Sequence, residues 1–311
     1  MTTKASAQPP LRRKFKRVWN YRYILMMVLP VIALLIVFSY VPMLGNVLAF
    51  KEFSIRRGIW NSDWVGLKYF RQLWGMPQFW SVFSNQLIIS FMKLMIGFPY
   101  PIVLALLINE VRSPKIRRSY QTAYTFPHFL SWIVIAGIIK GFLADQGLVN
   151  QMLLALNASK HRIFNDGDQF RVMLYLTEVW KEGGWNSILY LATLSTINPS
   201  LYEAAEIDGA GRWQKILYIT WPGLYSTAAI LLILSVGNVL SGGFDQIINL
   251  YNSVVMQKAD IIDTYIYRTA ISAGSNYSFA TAVGLFKSVI NVALLIIANT
   301  AVRRMGQEGI L

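Results

Sequence analysis

Long apolar runs constrain this chain more than any other feature. A helix needs roughly 20 consecutive, mostly apolar residues to cross the hydrocarbon core of a bilayer. Six runs meet that requirement: Ile24–Phe50, Ser84–Asn109, Tyr120–Phe142, Val172–Ile197, Pro222–Ile247 and Phe279–Val302. Charged residues are only 14% of the 311, against about 25% in an ordinary soluble domain. The sequence therefore predicts an all-α polytopic membrane protein with six transmembrane helices. The first run is longer than the roughly 7–15 residues of a signal-peptide core, so it reads as a retained span. The fourth is the least apolar, because Glu178, Lys181 and Glu182 lie inside it.

Lysine and arginine in the short loops give the direction of the spans. Arg12, Arg13, Lys14, Lys16, Arg17 and Arg22 precede the first run. Arg112, Lys115, Arg117 and Arg118 sit between the second and third, and Arg303 and Arg304 follow the last. All fall on one side if both termini are cytoplasmic. The loops 51–83, 143–171 and 249–278 then face outward, and the loop 198–221 faces the cytoplasm. The net charge of +14 is read as topology and contact with anionic lipid rather than nucleic-acid binding.

The sequence contains no cysteine, which excludes thiolate metal sites, disulfides and cysteine nucleophiles. His128 and His161 lie far apart without ligand spacing, and His128 reads as a structural histidine. Asn165-Asp166-Gly167-Asp168 lacks the further positions of a calcium loop and reads as a turn. With no paired carboxylates in a shared pocket, no catalytic site is expected.

The cytoplasmic loop reads INPSLYEAAEIDGAGRWQKILYITWPGL. Asn198-Pro199-Ser200 starts a helix, with Pro near a first position and Ser as a cap. Glu203 and Glu206 favour the positive end of its dipole. Asp208-Gly209 is a turn, since glycine takes positive φ without steric cost. A second helix from Gly211 presents Trp213, Ile216 and Leu217, and Pro222 begins the fifth span. The product is a stiff knuckle with alanines on one surface and carboxylates beside them. An amphipathic linker lying on the membrane accounts poorly for those carboxylates, which anionic lipid repels. A protein-docking element accounts for them better.

The pattern Glu203-Ala204-Ala205, Asp208-Gly209-Ala210, Trp213, Ile219 and Pro222 resembles the EAA loop of ABC importer permeases, the maltose-type carbohydrate class. Phe38-Ser39-Tyr40-Val41-Pro42, Trp180-Lys181 with Gly184-Trp185, Phe244-Asp245-Gln246 and Ala280-Thr281-Ala282 resemble its polysaccharide and oligosaccharide subgroup. Ile216 stands where that family often has Phe, and Trp221 where an aliphatic is more usual.

The resemblance implies a type I ABC importer permease fold. Residues 1–22 would be a basic cytoplasmic tail, 23–302 the permease domain and 303–311 a second short tail. It implies a bacterial inner membrane location, a second similar permease in a heterodimer, two ATPase subunits and an extracytoplasmic substrate-binding protein. ATP and Mg would bind the ATPase partners. This chain lacks a Gly-rich phosphate loop with Lys-Ser or Lys-Thr and should bind no cofactor.

Ionisable residues inside spans are costly and mark function by default. Lys93, Glu178, Lys181, Trp185, Asn238 and Lys287 are the candidates for a substrate path. Glu178, Lys181 or Glu182, and Trp185 recur at helical spacing, and their aromatic and polar groups suit a glycan. An internal Glu178–Lys181 pair is the competing reading. Lys93 and Lys287 have no carboxylate within a helical turn, which makes an acidic, uronate-containing oligosaccharide the first expectation and a neutral sugar the second. Trp60, Trp64, Tyr69, Trp74, Tyr251 and Tyr277 in the outer loops would receive the binding protein or anchor at the interface. A secondary, ion-coupled transporter is the rival class; no internal repeat is evident, and it would have no use for a docking knuckle.

Overall fold

A computed structural model of the protein describes residues 21–272, 276–304 and 306. The basic tail to Asn20 and the end beyond Gly306 lie outside the described residues. Helix α1, Arg22–Leu35, continues through a π turn at Ile36–Tyr40 and Val41–Met43 into a 3-10 segment, Leu44–Phe50. Its apolar side chains up to Leu44 touch almost nothing of the chain: Met27 is 78% and Phe38 73% exposed. A surface like that is stable only against lipid or another subunit.

A two-stranded hairpin follows, β1 Lys51–Glu52 against β2 Asp63–Trp64, then α2, Lys68–Trp74. Helices α3, Pro77–Gly97, and α4, Pro99–Asn109, form the second span. They meet at Phe98, where Pro99 and Pro101 remove backbone donors and bend the helix.

The third expected span, Tyr120–Phe142, is not one helix. Helix α5, Pro114–Thr125, gives way to a 3-10 turn at Phe126–Phe129, and α6, Trp132–Leu143, starts afresh. Pro127 supplies no N–H, Leu130 is extended, and the Ser131 side chain accepts from the Val134 N–H to begin the new helix. Helix α7, Leu148–Ala155, follows. Helix α8, Gly167–Leu194, is the 28-residue fourth element. Among the described residues, five helical stretches are long and apolar enough to cross a membrane: Arg22–Phe50, Pro77–Asn109, Trp132–Ala155, Arg212–Gly237 and Tyr277–Arg304. Its charged residues keep α8 out of that class.

Helix α8 is the central post. Lipid supplies little hydrophobic drive between helices, so close packing must come from small residues. A Cβ on Gly183 would lie 2.3 Å from the Tyr100 ring, and one on Gly184 would lie 1.9 Å from the Tyr124 carbonyl oxygen. These two glycines let α4 and the end of α5 press onto neighbouring faces of α8. Below them Ile102, Ala105, Leu191, Leu194 and Leu224 form one buried cluster; above them Ile89, Ile135, Phe170, Leu174 and Ile247 form another.

Helix α9, Pro199–Ile207, and α10, Arg212–Lys215, make the knuckle. A π turn at Ile216–Thr220 carries α10 into α11, Trp221–Gly237, without a break. The π turn accommodates Pro222, so this proline lies inside a helix that began ten residues earlier. The fifth expected span, Pro222–Ile247, is interrupted. The chain unwinds after Gly237, passes Gly243 at φ +104° and restarts as α12, Phe244–Leu250. Glycine is required there, because an L side chain rarely adopts that φ. Helix α13, Ile262–Tyr267, and α14, Tyr277–Arg304, complete the fold.

The three loops assigned to one side by charge meet at one end of the molecule. The Phe53 N–H donates to Ser278 Oγ, Asn252 Nδ2 to the Phe164 carbonyl, and Arg171 Nε to the Lys258 carbonyl. Lys258 also pairs with Asp168. The Asp166 side chain caps α8, accepting from the Asp168 and Gln169 N–H groups. Those bonds hold its carboxyl below the usual range, and the turn reading of residues 165–168 is sufficient. Among the described residues there is no metal-binding cluster.

Candidate functional site: a docking knuckle and a polar cavity

The knuckle is built from local rules. Asn198, rather than Ser200, caps α9: its Oδ1 accepts from the Ser200 N–H at 3.1 Å, and Pro199 takes the first helical position. Gly209 adopts φ +74°. The Ala210 N–H reaches back to the Ala205 carbonyl at 2.8 Å, and the Gly209 N–H to the Glu206 carbonyl at 3.1 Å. These bonds cap the exposed carbonyls of the helix end in the left-handed closure that glycine permits. Lys215 Nζ meets Glu206 Oε1 at 2.5 Å and clamps α10 to α9. That hydrogen bond and its charge hold the Glu206 carboxyl below its ordinary range. Tyr202 Oη and Thr220 Oγ1, 3.0 Å apart, close the other side.

Glu206 is therefore committed within the chain, whereas Glu203 and Asp208 form no ion pair among the described residues. Trp213 is 82% and Ile207 88% exposed. Two large apolar side chains stand free beside open carboxylates, the composition that protein-docking surfaces combine at centre and rim. Ile207 was not picked out from the sequence; it sits where the left-handed turn throws the last residue of α9 outward. Ala204 is exposed and Ala205 and Ala210 are half-buried, so the small surface expected there is present.

Helix α11 runs from the knuckle to a cavity of about 270 Å³ lying between α3, α8 and α11. Ser90, Lys93, Glu178, Glu182, Asn186, Ser235 and Asn238 supply its polar lining. Three sequence-predicted residues, Lys93, Glu178 and Asn238, thus come together. Lys93 Nζ donates to Glu178 Oε2 at 3.1 Å and to Gln246 Oε1 at 2.5 Å. Gln246 Nε2 in turn donates to the Leu174 carbonyl and Thr177 Oγ1, both at 2.8 Å. These bonds join α3, α8 and α12.

The other three candidates do not line the cavity. Lys181 is buried, donating to the His128 carbonyl at 2.9 Å and to Glu182 Oε1 at 2.8 Å. The Glu178–Lys181 pair is therefore not formed. Trp185 stacks on His128 with centroids 4.4 Å apart, and His128 Nδ1 lies 2.7 Å from Glu182 Oε2. Both side chains pack at the joint between α5 and α6. On α8 the cavity face is Glu178, Glu182 and Asn186, spaced by four; Lys181 and Trp185 lie off it. Lys287 Nζ binds both oxygens of Asp263, at 2.6 and 2.8 Å. The expectation that Lys93 and Lys287 are unpaired is thus corrected: each finds a carboxylate on another element, since an unpaired charge there is too costly.

The fold and both sites define a class: a multi-span membrane protein whose exposed knuckle leads by one continuous helical stretch to a cavity with both polar and apolar lining. The chain belongs to the family described as the binding-protein-dependent transport system inner membrane component, matched over residues 97–307. It is 40% identical over 290 residues to Protein LplB of Bacillus subtilis (strain 168), covering 93% of this chain and 91% of that one. It is 37% identical over 300 residues to the polygalacturonan/rhamnogalacturonan transport system permease protein YteP of the same organism, covering 96% and 93%. A crystal structure of a bacterial alginate ABC transporter in complex with alginate pentasaccharide-bound periplasmic protein contains a chain that matches with TM-score 0.87. That match has 37% identity and covers 96% of this chain and 100% of the other. The fold is that of ABC importer permeases, and the chain is an integral inner membrane protein, a sugar-class permease. Family membership removes the secondary transporter.

Proposed function

We propose that this chain is one permease half of a type I ABC importer that takes an acidic, uronate-containing oligosaccharide into a bacterial cytoplasm. The observation that carries the proposal is the unbroken helical stretch Arg212–Gly237, which leads from the exposed knuckle to Asn238 at the cavity. Movement imposed on the knuckle travels along it as a rigid body and changes access to the cavity, a ligand-biased two-state element. The six spans are taken to include α8, whose charged residues face the cavity or protein rather than lipid, with both termini in the cytoplasm. Of two ATPase subunits carrying ATP and Mg, one docks on Ile207, Trp213, Glu203 and Asp208. A second, similar permease covers α1 and completes the path, and an external binding protein delivers substrate to the loop end bearing Trp60, Trp64 and Tyr277.

The acidic class is supported by the named substrates of the relatives, polygalacturonan, rhamnogalacturonan and alginate. It gains nothing from free lysines, which are absent from the cavity. A neutral sugar is the second reading, favoured by the pairing of Lys93 with Glu178. The test is uptake by the purified assembly in proteoliposomes, comparing trigalacturonate with a neutral galactose oligomer, with and without ATP inside. ATP-dependent uptake of trigalacturonate is expected. Uptake that ignores ATP would sink the importer reading, and uptake of the neutral sugar alone would sink the acidic one.

A further inference from the structure

We infer that Glu178 is a specificity-determining residue: it masks the charge of Lys93 so that the cavity lining offers an acidic glycan hydrogen bonds but no free cation. This inference rests on the reading of the cavity as part of the substrate path. Lys93 and Glu178 are 11% and 27% exposed at their side chains, so the pair is partly shielded from solvent at the wall of a cavity that has room for water. The lining contains one ammonium and two carboxylates, and every charge is matched. Lys93 is held by Glu178, while Glu182 is held by Lys181 at 2.8 Å and His128 at 2.7 Å.

An ammonium has three donors. Two of those on Lys93 go to Glu178 and Gln246, which leaves one N–H for a passing oxygen. Gly243 borders the same ammonium: a Cβ there would lie 3.0 Å from Nζ, so the absent side chain preserves access. In this state Lys93 can bond a hydroxyl or a carboxylate oxygen, but Glu178 repels the full charge of a uronate. Passage needs contacts strong enough for a substrate to enter and weak enough for it to leave. A bare lysine in this partly shielded wall would hold a polyanion more tightly than fully water-exposed charges do. Glu178 therefore sets the strength with which this half of the path grips negative charge.

The probes are trigalacturonate and its methyl ester, which share a skeleton and differ in charge. Uptake KM and maximal rate are measured for wild type, Glu178→Gln, and the double variant Lys93→Gln/Glu178→Gln in proteoliposomes. Glu178→Gln should lower the KM for trigalacturonate at least five-fold and slow its maximal rate, with the ester unchanged within two-fold. The double variant contains neither charge and should return the acid-to-ester KM ratio to within two-fold of wild type, with slower uptake of both probes because the Lys93 ammonium is gone. Equal shifts for acid and ester in Glu178→Gln, or no shift, would overturn the inference, as would selective loss of acid uptake in the double variant. If Glu178→Gln fails to assemble, the double variant alone decides. If the wild type imports neither probe, the reading of the path fails and the inference falls with it. Should the wild type import them while the KM ratio stays fixed, only the inference falls.

Discussion

Replacing Gly209 with valine should uncouple ATP hydrolysis from transport, and the structure isolates the reason. Gly209 holds φ +74° and a Cβ there would meet nothing within 4 Å, so the substitution creates no clash and removes no packing. What it adds is backbone strain, about 1–2 kcal/mol for an L residue in the left-handed region and more for a β-branched one. The chain has one escape, which is to abandon that φ. Doing so breaks the bonds from the Gly209 and Ala210 N–H groups to Glu206 and Ala205, each worth about 0.5–1.5 kcal/mol. Either route raises the bent knuckle by roughly 1–3 kcal/mol. At a factor of ten for about 1.4 kcal/mol, its population falls by roughly one to two orders of magnitude. The readout is oligosaccharide imported per ATP hydrolysed in proteoliposomes, alongside the melting of the detergent-purified protein. Gly209→Val should lower the ratio at least five-fold with melting nearly unchanged, and Gly209→Asn should stay close to wild type, because asparagine tolerates this conformation. A wild-type ratio in the valine variant, or equal loss in both variants, would refute the account of the turn.

Two further outcomes concern packing and charge. Gly184→Ala would bring a Cβ to 1.9 Å from the Tyr124 carbonyl oxygen and 2.9 Å from the Thr125 nitrogen. Backbone cannot swing aside, so a loss of about 3 kcal/mol or more is expected; thermal melting in detergent checks it, with Gly183→Ala milder because the Tyr100 ring can rotate. Lys287→Met leaves the Asp263 carboxylate, 23% exposed, without its ion pair and should cost roughly 3 kcal/mol. The double variant Lys287→Met/Asp263→Leu should recover most of that in the same measurement, and failure to recover would show that the pair does more than neutralise itself.

Most of the apolar runs and the turn at Gly209 are local properties, written in neighbouring residues, and were legible in the linear chain. Local physics suffices for the knuckle, since Asn198, Pro199, Gly209 and Ala210 act within a dozen positions of one another. The choice of Asn198 over Ser200 as cap was missed because both residues can cap and only the helix start decides. The breaks after Thr125 and Gly237 were half-legible: Pro127 and Gly242-Gly243 announced them, but the apolar count ran straight across. The charge pairs were not legible at all. Lys93 lies 85 residues from Glu178 and 153 from Gln246, and Lys287 lies 24 from Asp263. A sequence shows that a buried charge needs a partner, yet only the packing of α3, α8 and α12 decides which one. That is why two lysines that look free in the sequence line a neutral wall or brace a helix in the folded protein.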